Sequence, residues 1–162
     1  MRRPQGVEVA KSRTRGRGST YSRVVPGVSG RVLVVDDNKV IRQLIRVNLE
    51  LEGFEVVTAN DGAECLDVVH RVCPDVITLD VVMPRLNGFG TAARLRADPR
   101  TRDVPVAIVS ACTQYEAEIA AGVDAFVAKP FEPAELVRVV RGLIDRKDRR
   151  QREGTPAGRG RG

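Results

Sequence analysis

The chain has 162 residues, of which 42% are hydrophobic and 30% are charged, and it carries a formal net charge of +6. These values are typical of a soluble globular domain, and no apolar run approaches the ~18 residues of a membrane span or forms the core of a signal peptide. We therefore expect a cytoplasmic protein with no membrane insertion. The three cysteines, Cys65, Cys73 and Cys112, are odd in number and lack zinc-type spacing, which predicts reduced thiols.

The positive charge is confined to the two ends of the chain. Residues 1–29 carry a net charge of +6 and residues 146–162 carry +5, whereas the central segment 30–145 carries −5. Both ends are rich in Arg, Gly, Ser and Pro, which predicts disordered basic tails over 1–29 and 147–162 around a folded domain at 30–146. The tails are either merely solvated or in weak contact with a polyanion, and they lack the interleaved aromatics on which bases stack.

Strands and helices alternate through the first half of the central segment. The apolar run 32–35 predicts a buried strand, and the pattern over 38–51 predicts a helix. We expect the apolar face of that helix to consist of Val40, Ile41, Leu44, Ile45, Val47 and Leu51. A strand over 55–59 precedes a helix that begins with a capping-box pattern at Asp61 and ends near Val72.

The second half continues the alternation. Its predicted elements are a strand over 75–79, a helix from the Asn87-Gly88 turn to about Ala97, a strand over 104–110, a short helix over 113–121, a strand over 125–128 and a helix from Pro133 to about Arg146. Five short, continuously apolar strands separated by helices predict a doubly wound α/β fold. Its sheet would be five-stranded, parallel and buried on both faces, as in flavodoxin-like proteins, with five helices and a short fourth helix.

Polar residues follow four of the predicted strands. Because the carboxyl ends of parallel strands meet at one edge of the sheet, we expect Asp36, Asp37, Asp80, Ser110 and Lys129 to form one cluster. Three carboxylates in one place need a counter-charge, which a hard divalent cation such as Mg²⁺ would supply. One carboxylate could attack phosphorus to give an acyl phosphate, while the lysine and the hydroxyl hold phosphoryl oxygens.

The motifs VVDDN, ITLDVVMPRLNG, AIVSA and AFVAKPF resemble those of the receiver domain of bacterial two-component response regulators, over about residues 31–145. The resemblance implies that Asp80 is the phosphoacceptor, supplied by phosphohistidine on a sensor histidine kinase or a histidine phosphotransfer protein. It also implies that Mg²⁺ is held by Asp36, Asp37, Asp80 and the backbone carbonyl of Val82.

The resemblance further implies that Lys129 pairs with the phosphoryl group. It also implies that the Lys129–Pro130 peptide bond is cis. Ser110 would bond a phosphoryl oxygen, and Phe126 would be the aromatic switch that turns inward when Ser110 moves. Ordinary structural interpretations stand beside these roles. The aspartates could be turn residues, Ser110 could simply end a strand, Lys129 could snorkel, and Phe126 could belong to the core.

The chain departs from the family pattern in three places. The segment from Ser110 to Lys129 is about a helical turn shorter than in the common receiver, which puts in doubt the face that many receivers use to dimerise or to bind partners. Phe126 lacks the hydroxyl of a tyrosine, so a signal that depends on a bond from that group is lost. Gly90 weakens the start of the third helix by about 1 kcal/mol relative to alanine.

Our functional interpretation is a stand-alone receiver that signals by protein–protein contact with a downstream effector. The alternative is a nucleic-acid-binding regulator that uses its basic tails. We do not expect an enzyme. Phosphatases with an aspartate nucleophile usually carry an acid two residues later, where this chain has Val82, and no Gly-x-Gly-x-x-Gly turn follows the first strand.

Overall fold

A computed structural model describes residues 29–111 and 122–154. One sheet contains five strands in the order β2-β1-β3-β4-β5, and every neighbouring pair is parallel. The strands are β1 (Arg31–Val35), β2 (Glu55–Ala59), β3 (Val76–Leu79), β4 (Val106–Ser110) and β5 (Ala125–Ala128). The predicted parallel sheet is confirmed. Strand β4 begins after the predicted residue 104 because Pro105 has no N–H to donate to a ladder.

Helices cover both faces of the sheet. They are α1 (Lys39–Leu51), α2 (Gly62–Val72), α3 (Gly88–Ala97) and α4 (Pro133–Glu153). The described part of the chain thus contains four helices rather than the five predicted, and the expected short helix over 113–121 lies wholly outside the described residues. No helix in the described ranges is both long and apolar enough to cross a membrane.

Alternate residues of each strand enter two separate cores. In β1, Val32 and Val34 face the core that α1 and α4 cover, whereas Leu33 and Val35 face the core under α2 and α3. This alternation follows from the two-residue period of a strand, and it explains why strands buried on both faces are apolar without interruption.

Asparagine and aspartate side chains determine where three helices begin. The Asn38 side chain accepts hydrogen bonds from the N–H groups of Val40 and Ile41 at the start of α1. Asp61 accepts from Glu64 N at the start of α2, and Asn87 caps α3 in the same manner. Asn38 and Asp61 follow their strands within three residues, whereas Asn87 is separated from β3 by a longer loop.

The predicted apolar face of α1 is wrong in part. Ile45 and Leu49 are buried and Ile41 packs against the core, since this spacing of four residues keeps one stripe toward the sheet. The neighbouring stripe points to solvent, with exposed fractions of 75%, 45%, 42% and 79% for Val40, Leu44, Val47 and Leu51. We call this second set the α1 stripe.

Helix α4 is longer than predicted. It runs to Glu153 rather than ending near Arg146, so the first residues of the predicted disordered C-terminal tail are helical. Arg, Lys, Gln and Glu are good helix formers, and neither Gly nor Pro occurs between Arg146 and Gly154 to stop the helix. The buried residues of α4 end at Ile144, so its last turns extend past the core. The predicted disorder of 1–28 and 155–162 concerns residues outside the described ranges.

Candidate functional site

Three carboxylates converge at the carboxyl edge of the sheet, as predicted. Asp36 and Asp37 follow β1, and Asp80 follows β3, the strand beside it. One oxygen from each carboxylate lies within 4.8 Å of the others. Asp36 is 1% exposed and Asp80 is 8% exposed, whereas Asp37 is open to solvent. The cluster therefore combines two buried acids with one at the mouth of the site.

The backbone holds the two buried acids in place. Asp80 N donates to the carbonyl of Val35 at 3.0 Å, which extends the pairing of β3 with β1 by one residue. The Asp36 carboxylate accepts from Asn38 N at 2.9 Å, and the Asp36 carbonyl accepts from Arg42 Nη1 at 2.7 Å. Asp36 is thus part of the turn into α1, while its second carboxylate oxygen faces the site.

Lys129 brings the positive charge to this cluster. Its Nζ lies 2.7 Å from Asp36 Oδ2 and 3.3 Å from Asp80 Oδ2, and its side chain is 15% exposed. Lys129 N donates to the carbonyl of Ser110 at 2.9 Å, so the end of β5 is fastened to the end of β4. The Lys129–Pro130 peptide bond is cis, as the resemblance implied.

The electrostatics of Asp80 reflect its crowded position. Burial raises the pKa of Asp80 above its ordinary value, and the charge of Asp36 raises it further, while the Lys129 ammonium group opposes both effects. A second cation would act in the same direction as Lys129 and favour the ionised form that can attack phosphorus.

The donor set fits a hard divalent cation. Carboxylate oxygens are the protein ligands that Mg²⁺ prefers, and the spacing in this cluster allows two or three of them to reach one ion. Asp36, Asp37 and Asp80 would hold it. Val82 is 68% exposed at the rim of the site, and the predicted role of its carbonyl stays a prediction.

The loop between β3 and α3 is packed tightly behind Asp80. Gly88 N donates to the carbonyl of Val81 at 3.0 Å. A Cβ atom at Gly88 would lie 2.2 Å from the carbonyl oxygen of Asp80, closer than any side chain tolerates. In the same loop Arg85 has a φ of 65° and forms an ion pair with the buried Asp61, the residue just before α2. Sequence reasoning predicted only a capping role for Asp61 and missed both the Gly88 contact and the ion pair.

The predicted switch residues lie beside the cluster rather than inside its ion-pair network. Ser110 is the last residue of β4, is 1% exposed and pairs in register with Ala128. Phe126 lies on β5 opposite Ile108 and is partly buried against the core under α2 and α3. The structure therefore places Ser110 at the predicted edge, while the switching roles of both residues stay predictions.

Comparisons with known proteins agree with this geometry. The family model described as "Response regulator receiver domain" matches residues 32–141. The chain is 38% identical over 122 residues to the DNA-binding dual master transcriptional regulator RpaA of Synechocystis sp., with 74% of this chain and 51% of that protein covered. It is 43% identical over 122 residues to the transcriptional regulatory protein PrrA of Mycobacterium bovis, with 74% and 52% covered.

The chain thus spans about half the length of these curated relatives. Among solved structures, the receiver domain of the Francisella response regulator 1452 superimposes with a TM-score of 0.66 at 36% identity, and the match covers 72% of this chain and 98% of that one. With the acidic cluster, the lysine and the parallel sheet in their places, the chain belongs to the receiver domain family of two-component response regulators.

Proposed function

We propose that Asp80 accepts a phosphoryl group from phosphohistidine in a Mg²⁺-dependent reaction, and that the modified domain signals by protein–protein contact. The observation that carries this proposal is the position of the Asp80 carboxylate, 3.3 Å from Lys129 Nζ and within 4.8 Å of two further acids. A carboxylate placed between a fixed cation and a potential metal site is suited to phosphoryl transfer, which depends on positioning and charge neutralisation.

The chemistry is a displacement at phosphorus. A carboxylate oxygen of Asp80 bonds to phosphorus while the phosphorus–nitrogen bond of the donor breaks and its electron pair passes to the imidazole. Mg²⁺, when bound by Asp36, Asp37 and Asp80, supplies positive charge toward the phosphoryl oxygens. Lys129 supplies a second positive charge from the protein itself, and we assign to Ser110 a hydrogen bond to one phosphoryl oxygen of the product.

We infer that the donor docks along α1. The α1 stripe begins next to the loop that bears Asp36 and Asp37, and its residues recur at intervals of four, three and four positions. Such spacing is typical of a seam that packs against another helix. This favours a helical partner, either a sensor histidine kinase or a histidine phosphotransfer protein, whose phosphohistidine would then lie at the mouth of the site.

A second candidate function is a nucleic-acid-binding regulator. It is supported by the similarity to RpaA, which is described as a DNA-binding transcriptional regulator, and by the basic ends of this chain. Duplex binding that falls steeply with salt and is lost when residues 1–28 and 155–162 are removed would favour this candidate. Full signalling by the shortened chain would favour protein–protein contact. The expected cytoplasmic location stays a prediction.

The test of the phosphoacceptor is a mass measurement. The protein is incubated with acetyl phosphate and Mg²⁺, and its intact mass is recorded before and after alkali treatment. We expect one alkali-labile phosphoryl group, absent from Asp80→Asn and absent when a chelator is added, but present in the matched control Asp103→Asn, an exposed acid outside the cluster. Modification of Asp80→Asn to the same extent would refute the assignment.

A further inference from the structure

A cavity lies at the opposite edge of the sheet from Asp80. It has a volume of about 320 Å³ and is formed by the second half of α4 together with Pro105 and Asp124, the residues just before β4 and β5. We call it the basic pocket. Its charged lining consists of Arg96, Arg102, Asp103, Asp124, Arg146, Lys147 and Arg150.

Two of the five cations in the basic pocket are neutralised within the protein. Arg96 Nη2 lies 2.5 Å from Asp124 Oδ2, and the Arg96 guanidinium group also donates to the carbonyls of Arg102 and Val104. Lys147 Nζ lies 3.5 Å from Asp75 Oδ1, outside the pocket. Arg96 therefore acts as a fixed wall, and neither of these two cations offers a full free charge.

The other three cations have no ion-pair partner among the residues that the structure describes. The guanidinium groups of Arg102, Arg146 and Arg150 make no hydrogen bond or ion pair with any other residue in the described ranges. Against them the lining offers the carboxylate of Asp103. An arginine in the last turn of a helix can be present only because its charge interacts favourably with the partial negative charge at the carboxyl end of the helix, which would account for Arg150. It does not account for Arg102, which comes from the segment between α3 and β4 and lines the same cavity.

We propose that the basic pocket binds a small ligand that carries two or more phosphate groups. Guanidinium groups bind phosphate oxygens in pairs of parallel hydrogen bonds, and two arginines from α4 facing one from another segment could hold successive phosphates. The volume lies in the range of small-molecule pockets, which favours a small molecule over a nucleic-acid backbone, since a backbone needs an extended surface. Pro105 and Leu143 add an apolar wall for an uncharged part of the ligand.

The site is independent of the proposed phosphoacceptor chemistry. It nevertheless contacts the same two strands, because Pro105 and Asp124 precede β4 and β5, while Ser110 and Lys129 lie at their other ends. A ligand bound here would join α4 to the strands that carry two of the predicted phosphate contacts.

The test is a titration of the full chain without Mg²⁺, so that no probe reaches the acidic cluster through a metal. Sodium tripolyphosphate and ATP are the probes, followed by calorimetry and by amide chemical shifts. We expect saturable one-to-one binding that weakens about tenfold in Arg150→Gln and in Arg102→Gln, since each removes a charge-assisted contact. ATP binding more tightly than tripolyphosphate would assign the apolar wall to a nucleoside, and equal affinities would assign the site to the phosphates alone.

Arg149→Gln is the matched control, because Arg149 is exposed on the same helix, next to Arg150, and does not line the pocket. It should bind both probes within about twofold of the unaltered chain, as expected for a residue without a direct contact. Equal weakening in Arg149→Gln and Arg150→Gln would overturn the proposal, since it would show diffuse attraction by the basic helix. Absence of saturable binding would overturn it too. So would a 20-base-pair duplex that binds more tightly than either probe and whose binding is weakened equally by Arg149→Gln and Arg150→Gln.

Discussion

Removal of the Lys129 charge tests the electrostatic account of the site most directly. At an effective dielectric constant of about 20, the pairs at 2.7 Å and 3.3 Å correspond to roughly 6 and 5 kcal/mol of Coulomb attraction. Most of this is offset by the hydration that the three groups lose on folding. Breaking a buried pair costs about 3–5 kcal/mol, and the 15% exposure of Lys129 lowers that figure. We expect Lys129→Met to reduce the free energy of unfolding by about 2–4 kcal/mol without Mg²⁺.

The assay is urea unfolding with and without saturating Mg²⁺. In the methionine variant the acids have lost their internal counter-charge, so Mg²⁺ should stabilise the variant by a larger increment than it stabilises the unaltered protein. Lys147→Met is the matched control. Its Nζ lies 3.5 Å from Asp75 and its side chain is 20% exposed, so we expect a loss below about 1 kcal/mol.

Two results would refute this reasoning. A loss below about 1 kcal/mol in Lys129→Met would mean that the lysine does not stabilise the acidic cluster. If Mg²⁺ raises the free energy of unfolding of Lys129→Met by no more than it raises that of the unaltered protein, the cation and the lysine do not compensate the same carboxylates.

Three further outcomes are expected. The hydrogen bond from the α2 backbone holds the pKa of Asp61 below its usual 3.8, so the ionised Asp61 stabilises the fold above that value and this stabilisation is lost as pH falls through the folded-state pKa. Asp61→Ala should therefore lower the free energy of unfolding, measured by urea unfolding, by about 1 kcal/mol at pH 7 and by less at pH 3. Equal losses at the two pH values would contradict this direction of the pH dependence. Gly88→Ala should lower both the free energy of unfolding and the rate of labelling by acetyl phosphate, because the added Cβ would lie 2.2 Å from the Asp80 carbonyl oxygen. Gly142→Ala is the control, because a Cβ added there meets no atom within 4 Å, and it should raise the free energy of unfolding by up to about 1 kcal/mol. Burial raises the pKa of Cys65 to about 12, so peptide mapping after iodoacetamide treatment at pH 8 should find it alkylated only once denaturant is added.

The parallel sheet and the acidic cluster could be predicted because each rests on a short-range signal. A run such as 32–35, short, apolar at every position and rich in valine, is typical of a strand with helices on both faces, and a pair of aspartates at its end then lies at the carboxyl edge. The two-residue strand period then assigns alternate residues to the two cores. These signals need no knowledge of which helix packs where.

The features that sequence reasoning missed depend on contacts between distant segments. The apolar pattern of α1 predicts one face of six residues, but only the rotation of the helix against the sheet decides that Ile45 is buried and Val40 is not. The pairing of Arg85 with Asp61 joins two loops, and nothing in either loop indicates the other. The extension of α4 to Glu153 was hidden by its composition, since the same charged residues suit a solvated tail and an exposed helix.

The distance in sequence between the acids and their lysine has a consequence for synthesis of the chain. Asp80 and Lys129 are separated by 49 residues, which a ribosome adds in roughly 2 to 10 s. During that interval β1 and β3 can pair, yet they bring Asp36 and Asp80 together without Lys129 to compensate their charges. The carboxyl edge of the nascent sheet therefore carries two acids without their lysine until β5 docks, and protonation of one acid or binding of a cation would relieve the repulsion earlier. We therefore expect the edge that bears Asp36 and Asp80 to gain its internal counter-charge only once the Lys129 segment has been synthesised.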